Sequence, residues 1–472
     1  MSSATLYGIA SLGYLVALIA YIFHFVSQRD GVRRLATVVA AIAFAVQTLG
    51  LAARWYEAGL HEVAAKEGAE NVAVQGLSYV VTLGSHPPWS NLYEIMVFMS
   101  WGIVLVFMIA DVKWRLRGAG IFAIGIALLA FGIASLSLDA TVQPLVPALR
   151  SYWLHFHVFS ASIGYAAGLI GAIASLLYLA SSGVDEHRVA FGVQLAVAIA
   201  ILLLGHGITL LATFDFTAGV MALAPNGMLV QAVHPNASGD YVSIDGAMPG
   251  IGPLMLANLL VAIVAMVLHW RQFGGGDDKA RRLARSASLV STGLFTLTIV
   301  AIVVMDLAGV EARLAANVAS TVQPGPPYRF AFASNAWGLG VFMLVWIGAA
   351  YSAVHLLAPQ ALRSRLPEPG LLDRLSYRAV LIAFTFVGIL IVTGAIWAHY
   401  AWGRYWGWDP KETGSLVIWF VYAAYLHTRI THGLTGAPSA VIAILGFFVV
   451  LAGFLGVNLG WFSGGLHSYG AG

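Results

Sequence analysis

Residues 379–398 read AVLIAFTFVGILIVTGAIWA, an apolar run without one charged side chain. A run of about 20 apolar residues is long enough for a helix to cross the hydrocarbon core of a bilayer. The hydropathy of the chain indicates about twelve such segments. They are 4–26, 35–56, 91–110, 119–138, 150–180, 189–213, 252–272, 287–309, 335–357, 377–398, 414–431 and 439–459.

The composition excludes a water-soluble globular protein. Hydrophobic residues make up 60% of the 472 residues and charged residues only 10%, whereas soluble domains carry roughly 25% charged residues. The net charge of +3 does not indicate nucleic-acid binding, and the absence of cysteine excludes disulfides, CxxC motifs and cysteine-ligated metals. The sequence predicts an all-α polytopic membrane protein with about twelve transmembrane helices in the lipid bilayer and no sizeable soluble domain.

The basic residues predict how the spans are oriented. Most of the 24 Lys and Arg residues fall in alternate connections, and short connections rich in Lys and Arg stay in the cytoplasm. The N-terminus and the C-terminus are therefore both predicted on the outer side. The outer connections are then 57–90, 139–149, 214–251, 310–334, 399–413 and the tail after 460.

The outer connection that follows the quoted run is rich in aromatic residues. Residues 397–413 read WAHYAWGRYWGWDPKET and include Trp402, Trp406 and Trp408. Glycines and a proline interrupt helical periodicity here, which favours an irregular aromatic surface suited to a large, flat, apolar ligand. The alternative is an ordinary aromatic belt at the membrane interface.

The charged residues of this stretch have two kinds of role open to them. Arg404 and Lys411 are suited to carboxylates on the edge of such a ligand. Asp409 before Pro410 is typical of a helix start, and Glu412 three residues later completes a capping-box pattern. Helix capping and direct participation in the site both remain open for Asp409.

The stretch WGRYWGWDPKET at 402–413 closely resembles the tryptophan-rich WWD motif of the CcsA/ResC family of system II cytochrome c biogenesis. Three further stretches resemble the family pattern in the expected order: HPPWSNLYE at 86–94, LVPALRSYWLHFHV at 145–158, and GVN at 456–458 with GLHSY at 465–469. Gly414 departs from the pattern, since the family often has tryptophan there. Residues from about 183 to 357 form an insert to which the resemblance assigns no role.

The resemblance implies a set of haem-binding residues. It implies that the loop of Trp402, Trp406, Trp408 and Asp409 holds haem b at the outer face. His157 and His467 match positions that resemble external axial ligands of the haem iron. His427 matches a ligand for haem held within the membrane, whose other ligand comes from a partner protein.

Other histidines receive no single assignment. His155 is two residues from His157 and points about 160° further around a helix, so both cannot face one iron. His399 is a competitor because it adjoins the WWD stretch, and mid-span His206 has no assignment. His86 is open to loop ordering or to haem contact. Three more histidines end spans near the cytoplasm and are predicted to snorkel to the interface: His24, His269 and His355.

The resemblance implies a haem lyase acting in a system II cytochrome c synthase. It divides the chain into 1–180, the inserted helices 181–357, and the haem-handling region 358–472. The implied partners are a CcsB/ResB-like membrane protein, apocytochrome c with its CxxCH motif, and thiol-reducing pathway proteins. The expected location is a bacterial cytoplasmic membrane, with a thylakoid membrane as the second choice. A haem exporter without ligation activity and a b-haem electron-transfer subunit are the alternatives.

Overall fold

The computed structural model describes residues 2–71, 73–114, 119–137, 140–142, 145, 147–204, 207–223, 229–231, 233–235, 241–243, 245–275, 277–308, 328–330 and 336–458. Helices dominate this part of the chain. They are α1 (Ser3–Ser27), α2 (Asp30–Glu70), α3 (Gly76–Gly84), α4 (Leu92–Trp114), α5 (Ala119–Ser137), α6 (Tyr152–Ser181), α7 (Glu186–Leu204), α8 (Gly207–Thr213), α9 (Ile251–Trp270), α10 (Asp278–Leu307), α11 (Ala336–Leu357), α12 (Pro359–Arg365), α13 (Pro369–Trp402), α14 (Pro410–Thr431) and α15 (Ala437–Asn458).

Every predicted apolar segment overlaps one of these helices. Within the described ranges, eight helices are long and apolar enough to cross a membrane, or nine if the bent pair of α11 and α12 is one span. The all-α polytopic membrane class is therefore confirmed. The count of about twelve spans and the outward orientation of both termini stay predictions.

The chain forms two compact units, Met1–Ser182 with Arg363–Gly472, and Gly183–Leu362. In the first unit α6 is the central helix. Of its apolar 18-residue stretch, 78% is buried, which is the largest share among the helices long and apolar enough to cross a membrane. Gly102 of α4 lies against Ser162, and Gly168 of α6 lies against the Tyr422 hydroxyl of α14. Such small residues allow membrane helices to approach closely.

A buried polar chain joins three helices of the first unit. Tyr14 Oη donates to Gln47 Oε1 over 2.6 Å, and Gln47 Nε2 donates to the Val97 carbonyl over 3.0 Å. These bonds satisfy polar groups that neither lipid nor water can reach, and they connect α1, α2 and α4.

The second unit packs α7, α9, α10 and α11 around an apolar core that includes Ile201, Phe295 and Phe342. His187 and His269 lie within this unit with their Nδ1 atoms 2.8 Å apart, and His269 Nε2 lies 2.8 Å from Ser288 Oγ.

The prediction that three span-ending histidines snorkel to the interface is wrong for all three. His269, His24 and His355 are at most 2% exposed. His269 is held by His187 and Ser288, and His24 Nδ1 lies 3.1 Å from the Arg29 carbonyl. For His269, neighbouring helices supply polar partners inside the protein, and the burial of all three is set by helix packing, which hydropathy alone does not reveal.

The connections 214–251 and 310–334 contain strands that hydropathy does not predict. β1 (Phe216–Leu223) pairs antiparallel with β2 (Leu229–Gln231), β5 (Asp245–Met248) and β6 (Tyr328–Phe330). β3 (Val233–Pro235) pairs with β4 (Tyr241–Ser243). These short strands form one four-stranded sheet and one two-stranded sheet in a chain that is mostly helical where described.

Candidate functional site

The tryptophan-rich loop lies between α13 and α14. α13 ends at Trp402, and Gly403 follows in the left-handed conformation at φ 74°, where its N–H bonds to the His399 carbonyl. Trp408 also has a positive φ of 58°, which is uncommon for a residue with a bulky side chain. This backbone leaves Trp408 71% exposed, with its ring 5.9 Å from that of Trp406 and nearly perpendicular to it.

A capping box fixes the end of this loop. Asp409 is the N-cap of α14, and its Oδ1 accepts from the Lys411 N–H over 2.9 Å. Glu412 Oε2 accepts from the backbone N–H groups of Gly407 and Asp409, over 2.7 and 3.1 Å. The predicted capping role of Asp409 is therefore present. The carboxylates of Asp409 and Glu412 thereby hold the backbone that carries Trp406 and Trp408.

His157 lies in the second turn of α6 and faces α13. Its Nδ1 is 2.9 Å from the carbonyl oxygen of Leu390. Because a carbonyl only accepts, this bond requires Nδ1–H and puts the ring lone pair on Nε2, the tautomer of a metal-binding histidine. A Cβ on Gly394 would lie 2.6 Å from His157 Nδ1 and 2.7 Å from Cε1, so glycine makes room for the ring.

Trp397 connects His157 to the tryptophan-rich loop. Its ring lies nearly parallel to that of His157, with centroids 5.8 Å apart, and meets Trp402 edge to face at 4.8 Å. Trp397 is only 2% exposed, and its Nε1 donates to the Ala148 carbonyl over 2.9 Å. The structure thus joins two of the stretches singled out in the sequence, 145–158 and 402–413.

His155 and His157 contact different parts of the protein. The His155 ring lies 5.7 Å from Trp89 and 6.0 Å from Tyr152, away from the Trp397 contact. The structure therefore separates the two histidines.

His86 belongs to a buried polar network rather than to the aromatic loop. It is fully buried, with Nδ1 3.2 Å from Glu62 Oε1 and Nε2 2.9 Å from Ser90 Oγ. Ser90 donates to Glu94, which also accepts from Arg54 Nε over 2.8 Å. Burial lowers the pKa of His86, partly opposed by the two glutamates. Loop ordering and haem contact were both open for His86, and this geometry supports the ordering of its own loop, before α4.

Three other polar residues surround the loop. His399 is exposed and stacks on Tyr405, with centroids 4.3 Å apart. The Arg404 guanidinium packs on Gly407. Lys411 is half-buried, and burial lowers the pKa of its ammonium group, partly opposed by Asp409. Both predicted cations therefore lie within or directly beside the loop.

His427 lies at the far end of α14 from Asp409. The two residues are eighteen positions apart, which corresponds to about 27 Å of helix, close to the roughly 30 Å of a hydrocarbon core. His427 is exposed, and its ring meets that of His432 at 5.6 Å, nearly at a right angle. His467 and His206 lie outside the described residues.

Comparison with known proteins places the chain in a family. The profile described as Cytochrome C assembly protein matches residues 89–231 and 251–463. The cytochrome c biogenesis protein CcsA of Trichormus variabilis is 30% identical over 440 residues, which cover 91% of this chain and 95% of that protein. The chain belongs to the CcsA family.

Further relatives agree with this assignment. The CcsA of Microcystis aeruginosa is 29% identical over 412 residues and the CcsA of Gloeobacter violaceus is 28% identical over 441 residues. A solved structure titled Cytochrome c Heme Lyase CcmF aligns with 99% of this chain and 73% of its own, at 13% identity and a TM-score of 0.32. A TM-score this low does not establish a shared fold.

The match to the Cytochrome C assembly protein profile extends over most of the chain. His157, His427 and the tryptophan-rich loop lie within the matched residues, whereas His467 lies beyond them. The match also includes most of the unit Gly183–Leu362. This unit is therefore common to the chain and to CcsA relatives of similar length.

Proposed function

We propose that this protein is the membrane subunit of a system II cytochrome c synthase, which carries haem b to the outer face and presents it for covalent attachment. One observation supports the proposal most strongly. His157, oriented through Nδ1 by the Leu390 carbonyl, is joined by Trp397 to Trp402 at the start of the tryptophan-rich loop.

The chemistry of this arrangement suits a haem iron. Imidazole is a common axial ligand, and hydrogen bonding at Nδ1 fixes its ring and raises the basicity of Nε2. Tryptophan rings provide flat apolar surface for the macrocycle. Arg404 and Lys411 supply cations for the two propionates, and the capping box formed by Asp409 and Glu412 keeps the loop in shape.

Two further histidines complete the proposal. His467 is the proposed second external ligand, on the strength of its match to the family pattern. His427 is the proposed ligand for haem near the inner side of the membrane, before the haem moves outward. Its exposure supports this role, because a haem iron that also takes a ligand from a partner chain must be able to reach the His427 imidazole. Its distance from the loop supports a haem position separate from the outer one.

The proposed reaction forms two thioethers. Each thiol of a reduced CxxCH motif adds across a haem vinyl group: a carbon–sulfur bond forms, the S–H bond breaks, and the hydrogen goes to the other vinyl carbon. The addition needs no net oxidant. No residue of the chain is assigned as general acid or base, and the protein contributes binding and orientation of the reactants.

The proposed partners follow from this reaction. A CcsB/ResB-like protein completes the synthase and supplies the inner ligand, while thiol-reducing pathway proteins keep the CxxCH cysteines reduced. Apocytochrome c arrives at the outer, periplasmic face of a bacterial cytoplasmic membrane. A thylakoid membrane has the same topology and remains the alternative location.

A direct assay distinguishes a synthase from an exporter. The complex is purified with its CcsB/ResB-like partner, loaded with haem b and mixed with a reduced CxxCH peptide. Mass spectrometry is expected to find the peptide with haem attached through two thioethers, and to find none with a SxxSH control peptide. Haem transfer to the outer face without any thioether product would instead support the exporter.

A further inference from the structure

A cavity of about 440 Å³ has four charged side chains and His155 in its lining. It is lined by the outer extension of α2, the end of α3 and the start of α6, all within the first unit. Its size falls within the range of ligand cavities in proteins. The proposed haem site does not use it, because His157 faces α13, where it contacts the Leu390 carbonyl and Trp397 instead.

Both signs of charge line this cavity. Glu62 and Glu70 face it together with Lys66 and Arg150. Arg150 Nη2 lies 3.6 Å from Glu62 Oε2, and the Arg150 side chain is still 57% exposed. A single anion is opposed by the carboxylates and a single cation by the basic groups. A polypeptide, which offers N–H donors and C=O acceptors in turn, suits such a lining.

Two buried polar atoms, one on a residue of the cavity lining and one on a ring beside it, have no hydrogen-bond partner in the described part of the chain. They are His155 Nδ1 and Trp89 Nε1, and the two rings are in contact at 5.7 Å. Buried polar groups are nearly always paired, so each requires an explanation. The broad torsion of a His ring about Cβ–Cγ allows His155, which lines the cavity, to turn Nδ1 toward a ligand.

The position of the cavity relates it to the haem site. His155 and His157 are two residues apart on α6, about 3 Å along the helix axis and on nearly opposite faces. The connection before α6 has the same arrangement: the Ala148 carbonyl accepts from Trp397, while Arg150 lines the cavity. A polypeptide in the cavity therefore lies one helix width from His157.

We propose that this cavity binds the unfolded apocytochrome polypeptide next to its CxxCH motif, with His155 donating to or accepting from the peptide backbone. The proposal rests on the proposed function, since it names where that reaction's polypeptide substrate lies. It assigns His155 as a positioning residue, distinct from the proposed iron ligand His157.

Because the chain contains no cysteine, an engineered cysteine supplies its only thiol for a trapping experiment. Ser85→Cys and Ser151→Cys each place one thiol in the cavity lining. The probe is a CxxCH peptide whose two thiols carry thiopyridyl groups, so that an engineered thiolate displaces pyridine-2-thione and forms a mixed disulfide. Ser2→Cys is the matched control, because Ser2 is an exposed serine at the N-terminus of α1, on the predicted outer side.

Trapping is measured in the haem-loaded complex with its partner. We expect about tenfold faster trapping at Ser85→Cys and Ser151→Cys than at Ser2→Cys, as a local binding site predicts. A second variant, His155→Phe, keeps an aromatic ring at this position but has no ring nitrogen. The loss of one hydrogen bond in His155→Phe is expected to raise the peptide KM about two- to tenfold. The kcat and the haem spectrum are expected to stay unchanged.

The outcomes separate this proposal from the proposed function. Thioether formation by the wild-type complex, with equal trapping rates at all three cysteines, would overturn the peptide site and leave the synthase intact. An unchanged peptide KM in His155→Phe would overturn the role of His155. Selective trapping in the cavity without thioether formation by the wild-type complex would support the peptide site and overturn the synthase.

Discussion

Gly394→Ala tests the fit between His157 and α13. The new methyl group would lie 2.6 Å from His157 Nδ1 and 2.7 Å from Cε1, well inside contact distance. Helix α13 is held at this point by the bond from Trp397 Nε1 to the Ala148 carbonyl. The His157 ring is therefore expected to move, losing its bond to the Leu390 carbonyl and its contact with Trp397.

The size of the effect follows from these two contacts. A neutral hydrogen bond contributes about 1 kcal/mol net, and an aromatic pair contributes about 0.5–1.5 kcal/mol beyond its burial. A combined loss of about 2 kcal/mol in the positioning of the ligand corresponds to roughly thirtyfold weaker haem binding. Replacing glycine by alanine inside a helix stabilises the helix by about 1 kcal/mol, so unfolding is not expected to cause the loss.

The assay is a haem titration followed by absorption spectroscopy, on the complex purified with its partner. Gly132→Ala is the matched control, because a Cβ at Gly132 of α5 has no atom within 4 Å. Gly394→Ala is expected to bind haem weakly and to show a five-coordinate fraction, while Gly132→Ala behaves as wild type. Equal haem affinity and equal six-coordinate spectra in the two variants would refute the reasoning.

Three more predictions concern Asp409 in the tryptophan-rich loop, Trp397 beside it, and His86 in its buried polar network. Asp409→Ala removes the N-cap of α14 and is expected to lower the free energy of unfolding, measured by thermal unfolding, by about 0.5–2 kcal/mol. Asp409→Asn still caps the helix and is expected to lower it much less. Equal losses of stability in the two variants would contradict the capping role. Trp397→Phe keeps an aromatic ring beside His157 but loses the 2.9 Å hydrogen bond to the Ala148 carbonyl. The free energy of unfolding is expected to fall by about 1 kcal/mol, with haem still bound. Complete loss of haem would contradict this and show that the indole N–H is needed to hold the ligand. Burial lowers the pKa of His86 below its ordinary 6.5, so the unfolded state takes up more protons as pH falls through 6.5. Thermal stability is therefore expected to fall below about pH 6.5, and to fall less steeply in His86→Gln; an unchanged slope in that variant would contradict the account.

The helices were predictable because hydropathy determines which segments enter a bilayer. Their ends were not. The prediction for α2 stops at residue 56, where the apolar run ends, but the helix continues to Glu70. Residues 57–70 are rich in Ala and Glu, which are strong helix formers, so helix propensity extends α2 beyond the membrane segment. The strands of 214–251 were missed because hydropathy does not detect short strands, and one partner of β1, at Tyr328–Phe330, is distant in sequence.

The site was predictable where chemistry follows local sequence. The capping box of Asp409 and Glu412 was visible as a spacing of three residues. The partner of His157 was not visible, because it is the backbone carbonyl of Leu390, 233 positions away. Trp397 gave a weak signal as a tryptophan ending an apolar run, but only the packing of α6 against α13 shows what it contacts.

The most direct test of the account is the reduced absorption spectrum of the purified complex carrying His157→Ala, recorded with and without added imidazole. The account predicts six-coordinate haem b in the wild type, loss of that spectrum in the variant, and its return when imidazole enters the vacated position. A variant that keeps the six-coordinate spectrum without imidazole would contradict the assignment of His157 as an iron ligand, and with it the proposed site.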